Sequence, residues 1–75
     1  MEADQVLNCR GMHCPLPVVK TKKTLDSMQS GQILRVECTD KGAVSDMPAF
    51  SRRTGNELLE TREEEGALIF FLKKK

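Results

Sequence analysis

The residues able to do chemistry in this chain are concentrated in Gly11-Met12-His13-Cys14-Pro15-Leu16-Pro17, which joins a cysteine, the only histidine and a proline pair. A cysteine thiolate is a nucleophile, and at a helix N-terminus it is stabilised by unpaired backbone N–H groups and the positive end of the helix dipole. Proline is tolerated in a first helical turn, whose amides lack intrahelical acceptors, so Pro15 at the first helical position makes Cys14 the N-cap. Pro17 disfavours helical dihedrals at Leu16, a local cost that suggests a functional reason for the motif. Because Pro15 and Pro17 have no N–H, Leu16 and Val18 are the nearby backbone donors to the sulfur. His13, Lys20 and Arg10 are the side chains whose charge could reach it. Such a thiolate on a helix tip is open to other proteins and can hold a second sulfur as a persulfide.

The other cysteines read differently. Cys38 falls on the inward side of a strand alternation, as a small buried hydrophobe does. Cys9 ends the first strand, where it is either structural or a resolving thiol for Cys14. His13 is either an exposed neighbour of Cys14 or a base. A zinc site from Cys9, His13, Cys14 and Cys38 has ligands of acceptable type, but adjacent His13 and Cys14 converge poorly on one tetrahedral ion and no C-x-x-C pair exists. Gly11-Met12-His13-Cys14 also resembles the start of a copper-chaperone motif, Gly-Met-x-Cys-x-x-Cys, with Pro17 standing where its second cysteine would be. No metal site and no bound cofactor are expected.

These residues need a frame, and hydrophobic periodicity supplies one. Gln5 to Asn8 reads as a short strand. Val18, Thr21, Leu25 and Met28 recur at helical spacing and define a helix from about Pro15 to Met28, with Lys20, Lys23 and Asp26 turned elsewhere. Gln32 to Cys38 alternates, Leu34, Val36 and Cys38 facing one way and Ile33, Arg35 and Glu37 the other. Ala43, Met47, Phe50 and Thr54 repeat as a second helix. Pro48 lies inside that pattern, so the helix either starts just before it or has an irregular first turn. Asn56 to Arg62 and Ala67 to Lys73 read as a hairpin whose acidic turn ends in Gly66. The order β-α-β-α-β-β buries both apolar helix stripes only if the helices share one sheet face, giving a two-layer α/β sandwich with a four-stranded mixed sheet. The other face would carry Ile33, Arg35, Glu37, Ile69 and Phe71, solvated or paired with a partner.

At 75 residues, 39% hydrophobic and 31% charged, the chain fits a single domain over 1–75, too small for a deep substrate cavity, so its chemistry must sit near the surface. A net charge of +1 and three Phe with no Tyr or Trp argue against binding nucleic acid directly. No apolar run approaches the roughly 18–20 residues of a membrane span, and two acids within Met1 to Gln5 are unlike a secretory leader. An odd cysteine count without such a leader points to free thiols and a cytoplasmic protein. Lys20, Lys22 and Lys23 cluster on the first helix, as a solvated face or as a docking site for an acidic partner.

Gly11-x-x-Cys14-Pro15-x-Pro17-Val18, Asp40, Asp46-x-Pro48-x-Phe50 and Gly55-x-Glu57-Leu58 together resemble the TusA/SirA sulfur-carrier family over nearly the whole chain. The resemblance implies a β-α-β-α-β-β sandwich and a carrier rather than a stand-alone enzyme. Its cysteine, Cys14 here, would accept sulfane sulfur from a cysteine desulfurase, a rhodanese or a DsrE-like donor. An acceptor protein would then take that sulfur toward tRNA thiolation, cofactor assembly or sulfur oxidation. Asn8, Asn56 and Leu16 depart from the family pattern, which often has Asp, His and an acidic residue there. Leu16 is the departure beside the sulfur and bears on which partners are served. A carrier must show its sulfur to donor and acceptor in turn, so a monomer is expected. A metal-binding, chaperone-like module and a regulatory protein-interaction module, with Cys14 incidental, are the remaining alternatives.

Overall fold

The structure, a computed structural model, describes residues 1–75 as β1 (Gln5–Cys9), α1 (Leu16–Asp26), β2 (Ile33–Cys38), α2 (Ala43–Thr54), β3 (Glu57–Glu64) and β4 (Ala67–Lys73). The sheet order is β1-β2-β4-β3. β1 and β2 run parallel, which demands a crossover, and α1 provides it. β2 and β3 each pair antiparallel with β4, so α2 is a second crossover that leaves one place open, and the β3–β4 hairpin returns β4 into it. The mixed sheet and element order are those expected from the alternation and the helical spacings.

Both helices cover the same face. Leu25 and Met28 from the first helical segment and Ala43, Met47 and Phe50 from α2 join Cys9, Leu34, Val36, Cys38, Phe70 and Leu72 in one buried cluster. Each large apolar side chain withdrawn fully from water here contributes about 1.5–3 kcal/mol. Thr21 and Pro17 are buried on the same α1 stripe.

Several boundaries move, each for a local reason. The first carbonyl to accept an α1 helical bond is that of Pro15, from Val19 N–H at 3.1 Å. Pro15 (φ −97°, ψ 12°) is therefore the N-cap, and Cys14 stands one residue before it, outside the helix. At the other end α1 stops at Asp26, with the Met28 N–H turning back to the Leu25 carbonyl at 3.0 Å. β3 starts after Asn56, whose side-chain oxygen instead accepts the Lys75 N–H at 2.9 Å. It then runs on to Glu64, because Glu64 still pairs with Ala67 and leaves only Glu65 and Gly66 in the turn. Both have positive φ (49° and 82°), the geometry of a two-residue hairpin that suits strand twist.

α2 continues through Pro48. Its entry is irregular: the N–H groups of Ala43, Val44 and Ser45 donate to carbonyls three residues back. The ring of Pro48 leaves the Val44 carbonyl without a helical donor. Val44 is exposed, so water can replace that donor.

The sheet face away from the helices is not left bare: the chain's own side chains cover its apolar residues. Ile69 and Phe71 are fully buried there, beside Ala67, Ala3, Ile33 and Leu59. Strand register places Arg35 of β2 next to Phe71 and Arg62 of β3 next to Ile69. Both guanidinium groups lie over the Phe71 ring, at 5.6 and 5.2 Å from its centroid. Carboxylates tie them together: Glu64 bridges Arg35 (3.1 Å) and Arg62 (3.2 Å), Glu37 holds Arg35 (2.8 Å) and Arg10, and Glu60 holds Arg62.

Candidate functional site

β1 ends at Cys9, and the chain turns before α1 by a Met12 N–H to Cys9 carbonyl bond of 3.2 Å. Gly11 occupies the left-handed region (φ 81°) that this turn requires and donates its N–H to Thr39 Oγ1 at 2.9 Å. Met12 packs its side chain against the helix-side core, which anchors the loop from beneath. Cys14 is thereby left exposed, while Cys9 and Cys38 are buried. The Cys14–Pro15 peptide is cis.

A second loop fixes the first. Asp40, between β2 and α2, accepts the Gly42 N–H on one carboxylate oxygen (3.0 Å) and the Cys14 N–H on the other (2.7 Å). These bonds, with a smaller contribution from nearby His13, hold its carboxyl below the usual carboxylate range.

The electrostatics of the sulfur differ from expectation. A depressed thiol pKa was expected from a helix tip and nearby cations, but the Cys14 thiol is pushed above its ordinary value. The Asp46 carboxylate, an acceptor that favours the neutral thiol, is the main cause, and partial desolvation and the negative charges of Asp46 and Asp40 add to it. None of the expected cations offsets this. Arg10 is engaged by Glu37 on the far sheet face, Lys20 lies along the groove beside β1, and His13 acts on Asp40. Of the two proposed backbone donors, Leu16 N–H is committed to the His13 carbonyl at 2.9 Å, leaving Val18.

Asp46, Ala49 and Arg53 recur at three- and four-residue spacing, so they share one face of α2. That face meets Cys14, Pro15 and Val18 across a cleft of about 180 Å³. A separate groove of about 270 Å³ runs between α1 and β1, lined by Leu7, exposed Leu16 and Val19, Lys20, Lys23 and Thr24. Lys22 lies outside it, paired with Asp26 at 2.8 Å.

Of the residues that sequence reasoning singled out, Cys14, Pro15 and Val18 line one cleft, while Gly11 shapes the loop beneath; the charged face opposite was overlooked. Asp40 and Asp46 entered only through resemblance. The Asp-Lys-Gly run before α2 was the available signal for Asp40, since an aspartate two residues before a helix N-cap readily accepts local N–H groups. Cys9, His13, Cys14 and Cys38 do not converge, and no three His, Cys, Asp or Glu side chains form a group able to hold a metal ion.

Comparison with known proteins shows the fold and the family. The crystal structure of the SirA-like protein from Desulfitobacterium hafniense superposes with a TM-score of 0.81 at 20% identity, covering 92% of this chain and 95% of that one, which establishes the common fold. The sulfur carrier protein TusA of Allochromatium vinosum is 52% identical over 95% of this chain and 93% of its own length. The sulfur carrier protein TusA of Pseudomonas putida is 33% identical over 96% of this chain and 90% of its own. The family model described as sulfurtransferase TusA matches residues 5–74, the whole sheet and both helices, and the chain belongs to that family.

Proposed function

We propose that this chain is a sulfur carrier whose Cys14 takes up sulfane sulfur as a persulfide and hands it to an acceptor protein. The observation that carries the reading is the contrast among three thiols in one small domain: Cys14 alone is exposed, on a loop braced by Asp40 and Met12, while the other two are sealed in the core. The relatives named as sulfur carriers support it.

The transfer is balanced without any bound cofactor. Ionised Cys14 attacks the outer sulfur of a donor hydropersulfide; a new S–S bond forms at Cys14 as the donor's S–S bond breaks. The donor leaves as a thiolate and takes up the proton that Cys14 lost. The sum is Cys14–SH plus R–S–SH giving Cys14–S–SH plus R–SH, with no net oxidation. Discharge is the same exchange with an acceptor thiol as attacking group. The donor is a cysteine desulfurase, a rhodanese or a DsrE-like protein, and the carrier acts as a monomer in the cytoplasm, where thiols remain reduced.

Lys20 and Lys23, beside exposed Leu16 and Val19, suit a partner that offers an acidic rim around an apolar contact. No helix is long and apolar enough to cross a membrane.

The test is loading. Incubated with cysteine and a cysteine desulfurase, or with a persulfide donor, the protein gains the mass of one sulfur on Cys14, and reductant removes it. Cys14→Ser abolishes the gain with the fold intact, whereas Cys9→Ser and Cys38→Ala do not. A removable sulfur on Cys14→Ser, or no gain on the native protein from several donors, rejects the carrier reading.

A further inference from the structure

The cleft between the start of α1 and the face of α2 contains one group of each charge beside the reactive sulfur. Asp46 lines this cleft together with Cys14, and its carboxylate disfavours ionisation of the thiol. Arg53, two helical turns further on, lines the same cleft and forms no ion pair, unlike Arg10, Arg35 and Arg62. Pro15, Val18 and Ala49 form its remaining, uncharged walls. The other charged groups around the sulfur are Asp40, whose carboxylate lies close to Asp46 around Gly42, and His13 on the Cys14 loop.

We propose that this cleft sorts the two states of Cys14 by charge: Asp46 holds the unloaded sulfur as a neutral thiol, and Arg53 receives the anionic outer sulfur of the loaded form. The Arg53 half rests on the persulfide reading above; the Asp46 half does not. The chemistry requires a difference between the states. A thiol is a hydrogen-bond donor at neutral pH, and a carboxylate is an acceptor that disfavours its ionisation. A hydropersulfide is a stronger acid than the thiol it came from, so loading puts a negative charge about 2 Å beyond Sγ, one S–S bond further out. Asp46 repels that charge, and the free guanidinium of Arg53 is the cation in the cleft available to hold it. The resting carrier is thereby shielded from stray electrophiles and oxidants, which react with thiolates. A donor that places a cation against Asp46 on docking releases the brake at the moment of transfer.

Two measurements on the full chain test the two halves. In unloaded protein, Cys14 alkylation by iodoacetamide is followed against pH by mass. The midpoint falls by about one pH unit in Asp46→Asn and stays near the native value in Asp46→Glu. An unchanged or higher midpoint in Asp46→Asn overturns the first half, and the Asp46→Glu profile separates loss of charge from loss of structure. In protein loaded with inorganic polysulfide and then desalted, the lifetime of the extra sulfur on Cys14 is measured. It shortens several-fold in Arg53→Gln and is largely kept in Arg53→Lys; equal lifetimes in native protein and Arg53→Gln overturn the second half. Failure of the native protein to gain any sulfur removes the persulfide reading and the second half with it, while the alkylation profiles still decide the role of Asp46.

Discussion

Cys9 and Cys38 stand opposite each other in the parallel β1–β2 ladder, neither reaching solvent. Burial is the main reason both thiols are raised, Cys38 to about 12, so neither ionises in the neutral range. Limiting alkylation of the folded protein between about pH 7 and pH 9 is expected to modify Cys14 alone. Mass mapping checks it, with unfolding in denaturant making all three react. A fast second modification in native buffer would show that the core opens far more readily than its packing implies.

Thr21 offers a stability test unconnected to the sulfur. It lies on the buried stripe of α1 with no exposed surface, and its hydroxyl has no hydrogen-bond partner. Thr21→Val keeps the shape and removes the unpaired polar atom, so it is expected to stabilise by about 1–2 kcal/mol. Urea unfolding measures this, and a lower midpoint for Thr21→Val would mean that the hydroxyl is satisfied in solution.

Asp40 makes the Cys14 loop sensitive to acid. Its folded-state pKa lies below the unfolded value because the Gly42 and Cys14 N–H groups favour the carboxylate. The stability it contributes is therefore fully present above the unfolded pKa, near 4, and is lost as pH falls through the lower, folded one. Exchange of the Cys14 and Gly42 amides should accelerate relative to core amides in that window. Asp40→Asn should show the fast exchange already at neutral pH.

The far sheet face should depend on its aromatic more than on its charges. Phe71→Ala removes a fully buried ring and is expected to cost about 3–5 kcal/mol. Arg62→Met, which keeps an apolar stem over the ring, is expected to cost far less, with a loss that shrinks in high salt. Denaturation of both variants at low and high salt compares them. Equal losses would mean that the ion pairs, not the buried ring, dominate this face.

Much of this architecture was legible in residue order because it is local. Leu34, Val36 and Cys38 alternate with Ile33, Arg35 and Glu37, and that period of two places both sets without knowledge of any neighbour. What escaped depends on contacts distant in sequence. Arg35 and Arg62 meet over Phe71 only because β4 enters between β2 and β3, and nothing in the run from Ala67 to Lys73 announces it. Cys14 was legible as reactive from its prolines, yet its electrostatics are set by Asp46 across the cleft, 32 positions away. The reach of α2 through Pro48 followed from an irregular first turn, one of two alternatives its sequence left open.

Both chain ends are sewn to the same short segment. Asp4 exchanges hydrogen bonds with Ile33, its N–H donating at 2.8 Å and its carboxylate accepting at 2.7 Å, while Lys74 donates to Gln32 at 2.8 Å and accepts from Gly31 at 2.9 Å. That segment precedes β2, at the end of the parallel β1–β2 pair opposite the Cys14 loop, a strand length of about 17 Å away. The domain therefore behaves like a plug with its leads at the back. A peptide tag, a tether or a whole second domain joined at either end would leave from the rear, and the sulfur would still face outward.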